Sequence, residues 1–194
     1  YITNFPIITK EYDIIFNNIV KERAKGYANK LADFAENQPL LEKYGVSIYS
    51  LHVFPNNLSE DLADILRVAK TYGVQQVVLP CPKEVNPAMA AHLNQVADAL
   101  KAHGVEFLLH NAKNDAAGYD WLMMATGENV GAQVDVGWLL YDGFDPESSL
   151  NKYGAKVRSL HYKDFTADKN ETAVGTGLVD MEACSKFARE REVF

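Results

Sequence analysis

The chain has 194 residues, 47% of them apolar and 23% charged, the composition of a globular protein with a sizeable core. Its formal net charge of −7 disfavours nonspecific binding to nucleic acid or to an anionic membrane surface. No apolar run approaches the roughly 20 residues of a membrane helix, and Cys81 and Cys184 lack metal-site spacing, so they read as free thiols of a reducing, cytoplasmic compartment.

The first 45 residues predict two helices, Tyr12–Lys25 and Ala28–Tyr44, separated only by Gly26 and Tyr27. From Ser47 onward strands and helices alternate. Val46–Phe54 is β-branched and aromatic, hence a strand. Ser59 can cap a helix through Tyr72, with Leu62, Ile65, Leu66 and Ala69 at helical spacing and Gly73 as its stop. Gln75–Leu79 is a strand ended by Pro80 and Pro82. Asn86-Pro87 opens a helix that runs to His103. Glu106–His110 is a strand, Tyr119–Ala125 a short helix and Ala132–Val136 a strand. Asp145-Pro146 starts a further short helix, Val157–Tyr162 is a strand, and Asp180 can cap a last helix through Arg191. A helix ending in Gly-Val recurs at Gly45-Val46, Gly73-Val74 and Gly104-Val105, as expected of stacked strand–helix units.

Polar residues end these strands at nearly constant distance. From His52 through Cys81, His110 and Asp135 to His161 the steps are 29, 29, 25 and 26 residues, the length of one strand, one helix and two loops. Such a ladder predicts a parallel sheet closed as a (β/α)₈ TIM barrel, with the polar ends around the mouth of a site. A complete barrel of this kind needs about 250 residues. The single domain expected over 1–194 is therefore an incomplete barrel. Its first strand overlaps or precedes the first ten residues, its second is missing near Tyr27-Ala28, and its eighth begins at Val193. Tyr1 is not a native initiator, and we expect these residues to be part of a longer chain.

Four motifs add to this reading: Asn129-Val-Gly-Ala-Gln-Val-Asp135-Val-Gly-Trp138, Gly143-Phe-Asp145-Pro146, His161-Tyr-Lys163-Asp164 and Val174-Gly-Thr-Gly177. In order and at this spacing, over about residues 43–192, the chain resembles the sugar phosphate isomerase/epimerase family of xylose isomerase-like barrels. The resemblance implies a divalent metal, Mn, Mg, Zn or Co, held at the barrel mouth, with Asp135 and His161 as its ligands. Many members carry His-Asn-His-x-x-Glu on the preceding strand. Here the stretch is His110-Asn111-Ala112-Lys113-Asn114-Asp115. The first His and the Asn are kept, Ala112 and Asp115 depart from the pattern, and His110 takes the position of a further ligand. A last-strand Glu, ligand and base in other members, falls beyond Phe194.

Imidazole with carboxylate is a sensible donor set for such ions. A carboxylate inside an apolar strand is costly unless paired, hydrogen-bonded or metal-bound, so Asp135 is either a ligand or a structural acceptor of backbone bonds. Asn111 orients a ligand or substrate. His52 reaches a sugar hydroxyl or is a half-buried strand-end histidine. Trp138 is a pocket wall or core. Lys163 neutralises an oxyanion or braces the next loop against Asp164. Gly175 and Gly177 offer amides to a phosphate or form a plain turn. The implied function is a metal-dependent isomerase or epimerase of a small sugar, polyol or sugar phosphate. It would work by proton abstraction next to a carbonyl, with His110, His161 and Lys163 as catalytic groups. An inosose-type dehydratase and a non-catalytic sugar-binding barrel stay open as alternatives, and so does a homo-oligomer. A DNA-repair endonuclease shares the barrel, but the acidic charge and the lack of a basic stripe speak against it.

Overall fold

The computed structural model describes residues 2–3, 38–53 and 58–193. The expected helix Tyr12–Lys25, most of Ala28–Tyr44, the gap near Tyr27 and Phe194 lie outside them. Elements are numbered along the described residues. Contacts divide the chain into two compact units. The first runs to Val77 and takes in His103–Val105; the second comprises Val78–Ala102 and Glu106 onward.

In the first unit, β1 (Ile2–Thr3) pairs antiparallel with β2 (Ser47–Ile48). These two strands form a sheet of their own, and the rest of the first ten residues, where the first barrel strand was expected, lies outside the described residues. The expected strand Val46–Phe54 is split at Tyr49 into β2 and β3 (Ser50–His52). The Tyr49 carbonyl accepts hydrogen bonds from the amides of Gln75 and Gln76, at 2.9 and 3.2 Å, which turns the chain from the antiparallel pair into the next sheet, where β3 neighbours β4 (Gln76–Pro80). Helices α1 (Gln38–Tyr44) and α2 (Leu58–Tyr72) end at Gly45 and Gly73, both at positive φ. The following amides, Val46 N and Val74 N, bond back to Leu41 O and Ala69 O. That closure needs a left-handed residue, so the Gly-Val repeat is a helix-ending device.

β4 contributes its last three residues to the second unit, whose sheet runs β4, β5 (Glu106–His110), β6 (Val130–Asp135), β7 (Val157–His161). β6 is parallel to both neighbours and buried along its whole length, as a strand covered on both faces must be. Helix α3 (Pro87–Lys101) starts where the Asn86 side chain accepts from Met89 N and buries Leu93, Val96, Ala97 and Leu100. Helix α4 (Ala116–Ala125) begins three residues before the expected start and buries Tyr119, Leu122 and Met123. Phe107, Leu108, Leu109, Val130, Ala132 and Val134 complete that core. Among the described residues, all five strands expected between His52 and His161 are present and lie side by side in chain order, the α/β arrangement from which a TIM barrel is built.

Three elements were not anticipated. Helix α5 (Val136–Tyr141) starts directly on β6, and so β6 stops at Asp135. The pair β8 (Asp164–Phe165) and β9 (Glu171–Thr172) forms an antiparallel hairpin after β7. Helices α6 (Pro146–Tyr153), capped by Asp145, and α7 (Met181–Glu190), capped by Asp180, begin as expected. Among the described residues no helix is long and apolar enough to cross a membrane.

Candidate metal centre

Three adjacent strands of the second unit end on the three side chains singled out above. Parallel register sets Asp135 opposite His161 and His110 opposite Gln133. Their side chains converge. His110 Nε2 lies 3.0 Å from His161 Nδ1, His161 Nδ1 lies 3.2 Å from Asp135 Oδ2, and His110 Nε2 lies 3.8 Å from the same oxygen. An ion bound tetrahedrally at zinc's usual distances would hold its donors about 3.3 Å apart. The triangle therefore has the size of one face of such a site. Among the described residues it is also the cluster of His, Cys, Asp or Glu compact enough to hold an ion.

The Asp135 carboxylate divides its work. Oδ1 accepts from Trp138 N at 2.9 Å and so caps helix α5. Oδ2 is buried and accepts no hydrogen bond. Such an oxygen, facing two imidazole nitrogens, is what a cation would satisfy. Burial raises the Asp135 pKa to about 7, against the lowering pull of the Trp138 amide and Lys163. Burial also lowers the His161 pKa, helped by Lys163. Both shifts favour neutral forms, and a neutral imidazole is the form that binds metal.

Asn111 holds the aspartate in place. Its side chain is fully buried, donates from Nδ2 to Asp135 O at 2.9 Å and accepts at Oδ1 from Asp135 N at 2.8 Å. The β5–β6 ladder ends at His110 and Gln133, so the Asn111 amide extends it by one residue with a side chain. Asn111→Ala would leave a buried N–H and C=O unpaired, at about 2–4 kcal/mol. It should weaken metal affinity about 10- to 100-fold, the usual effect of removing a group that orients a ligand. Urea melts and a zinc titration check both; an unchanged affinity would mean that Asp135 is held by the strand alone.

Trp138 is half-buried and packs on Phe165 and Tyr141, with centroids 4.8 and 5.3 Å away. Lys163 Nζ lies 5.0 Å from the Trp138 ring centroid and pairs with Glu171 Oε2 at 2.8 Å. Of the two readings of Lys163, a brace against Asp164 is not what forms: its partner is Glu171 on the hairpin. Asp164 is instead fully buried and accepts from the amides of Phe165, Gly175, Gly177 and Val179 at 2.8–3.0 Å. The Gly175 and Gly177 amides are therefore engaged within the protein, and the turn reading of Val174–Gly177 holds. Gly137 matters for close approach: a Cβ there would stand 2.5 Å from Lys163 O, so only glycine lets the chain after β7 pass over the start of α5.

His52 ends β3 in the first unit, half-buried. Asp115 accepts from Ala112 N at 2.8 Å and turns the loop after His110 back on itself. Burial raises its pKa to about 6, with Asp142 adding to the rise. Sequence reasoning missed α5 and Glu171. An Asp three residues before Trp138 was a legible cap signal; nothing marked Glu171 among the exposed acids.

Comparison with known proteins agrees with this architecture. A family model described as xylose isomerase-like TIM barrel matches residues 20–193. Inosose dehydratase from Clostridium beijerinckii is 27% identical over 125 residues, which cover 53% of this chain and 42% of that protein. A sugar phosphate isomerase/epimerase from Parabacteroides distasonis superposes with a TM-score of 0.68 at 18% identity, over 80% of this chain and 66% of its own. The IOLI protein, solved with a binding zinc atom, gives 0.66 at 17% identity over 96% and 82%. The chain thus spans less than half of the dehydratase and about two thirds of the Parabacteroides protein.

Proposed function

The chain belongs to the xylose isomerase-like TIM barrel family, and from that premise we propose that it is a metal-dependent isomerase or epimerase of a small sugar, polyol or sugar phosphate. One observation carries the reading: a buried, unsatisfied carboxylate oxygen faces two histidine nitrogens at the ends of adjacent parallel strands. His110, Asp135 and His161 would hold a divalent ion. An ion held there would polarise neighbouring carbonyl and hydroxyl oxygens of a substrate and so acidify the C–H between them.

The residues around the cluster divide the remaining work. Lys163, which pairs with Glu171 over the Trp138 ring, is the cation this reading assigns to an oxyanion that forms as a C–H proton leaves. Trp138 offers an aromatic wall suited to sugar C–H groups. A histidine that binds an ion through one nitrogen can carry a proton only on the other, so His110 and His161 serve mainly as ligands in this reading. Asn111 fixes Asp135 and does not contact substrate.

The likeness to inosose dehydratase favours a second reading, a lyase that begins with the same proton abstraction. Both readings predict hydrogen exchange. Metal-loaded protein in D₂O, incubated with a ketose, a ketose phosphate and an inosose, should place deuterium on the carbon next to the carbonyl of one of them, read by NMR. A chelator should stop it. A dehydratase would show loss of water as well. No exchange with any of the three would overturn both readings and leave a sugar-binding barrel.

A further inference from the structure

Strands β6 and β7 meet out of step. Ala132 pairs with Val157, and Asp135 pairs with His161. Three residues of β6 thus follow Ala132 where four of β7 follow Val157. Gln133 pairs with Ser159, so the residue left over is Arg158, the extra residue of a β-bulge. Side chains alternate between the two faces of a strand, and a slip of one residue turns every later one over. Regular pairing from Val157 would set Leu160 opposite Asp135 and turn His161 to the other face. The bulge reverses that phase. Two successive contacts use it: Gln133 Nε2 donates to Ser159 Oγ at 3.1 Å, and His161 Nδ1 lies 3.2 Å from Asp135 Oδ2.

Arg158 does not hang free at the bulge. A Cβ on Gly131 would stand 3.0 Å from Arg158 Cγ, 2.5 Å from Leu108 Cδ2 and 3.4 Å from Lys156 O. The Arg158 stem therefore packs where a side chain at position 131 would be. Beyond it the guanidinium reaches Glu106 on β5, with Nε 3.4 Å from Oε1. One side chain thus crosses from β7 over β6 to β5, the three strands that end in His161, Asp135 and His110. Both charged groups are part-exposed, so their attraction contributes little. The packing over Gly131 is the larger part of the hold.

We propose, on the metal reading above, that Gly131 and Arg158 are positioning residues of the metal centre. The gap at Gly131 seats the Arg158 stem, the seated stem holds the bulge, and the bulge delivers His161 to Asp135. Neither residue touches the ion or a substrate.

Zinc titration and zinc X-ray absorption of the reconstituted protein, with urea melts in chelator, test this. Gly131→Val puts a good strand former where the stem lies. Arg158→Ala removes the stem and keeps the extra residue. Each should lower zinc affinity about tenfold or more and take one of the two imidazoles out of the zinc signal. Arg158→Met keeps an unbranched stem without the charge and should bind zinc as the parent does. The double variant Gly131→Val/Arg158→Ala should lose no more affinity than Gly131→Val alone, because both changes break one contact. Arg158→Ala and Arg158→Met decide the matter even if Gly131→Val does not fold. Two imidazoles retained in Arg158→Ala would overturn the inference and leave the metal centre standing. Equal loss of affinity in Arg158→Ala and Arg158→Met would also overturn it, since the charge and not the seated stem would then hold the strand. A parent that binds no zinc would remove the metal reading itself, and this inference with it.

Discussion

Asp135→Asn should make the metal-free protein more stable while destroying metal binding. The Asp135 side chain is fully buried, and its pKa of about 7 lies about three units above the ordinary value of about 3.9. The sign follows from proton counting. Between about pH 4 and pH 7 the native state holds a proton that the unfolded state has lost, so stability falls as pH rises through that window. Above about pH 7 the parent carries the full cost of an ionised, buried carboxylate, on the order of 2–4 kcal/mol. Asparagine keeps an oxygen for Trp138 N and brings an amide that can donate to His161 Nδ1, now 3.2 Å from the unsatisfied oxygen. Urea melts in chelator should show the variant ahead at pH 8 and level with the parent near pH 4. Zinc affinity should fall more than about a hundredfold. If the variant is less stable than the parent at pH 8, Asp135 is a structural cap and the metal reading loses its main support.

Asp164→Ala should be the most damaging single change in the loop after β7. Four amides, those of Phe165, Gly175, Gly177 and Val179, point at this one buried carboxylate. Burial pushes its pKa up, but the four amides outweigh that and hold it below the ordinary carboxylate value. Its contribution is therefore complete above about pH 4 and is lost as acid takes the pH down through the lowered value. Removing the carboxylate leaves donors unpaired at about 1–3 kcal/mol each where they are buried. We expect a loss on the order of 3–5 kcal/mol at pH 7, shrinking below about pH 4. Trypsin should cut after the exposed Lys169 sooner than in the parent. A loss under about 1 kcal/mol would mean that the hairpin pairing of Asp164–Phe165 with Glu171–Thr172 holds the loop alone.

What the sequence disclosed follows physical range. Strand ends and helix caps are local, and Asn86, Asp145 and Asp180 were readable from their own neighbourhoods. The polar ends His110, Asp135 and His161 were readable because a buried polar residue at a strand end stands out against an apolar run. Their mutual distances were not, since these depend on register, and register here is set by the irregularity between Ala132 and Gln133. The neighbour Asp164 was one of two readings for Lys163 because adjacency is visible in sequence. The actual partner, Glu171, is brought in by a hairpin whose closure rests on Asp164. Tyr49 was hidden for a related reason: a β-branched run looks continuous, while the break comes from pairing with two different partners on either side of it.

Zinc X-ray absorption on the reconstituted protein tests the metal centre most directly. One zinc per chain should survive dialysis, with oxygen and nitrogen donors at about 2.0–2.1 Å, outer-shell scattering from two imidazoles, and no sulfur. His161→Ala should remove one imidazole from that signal, and Asp135→Asn should release the ion. Zinc absent after dialysis, or bound with the same imidazole count in His161→Ala, would contradict a centre built from His110, Asp135 and His161.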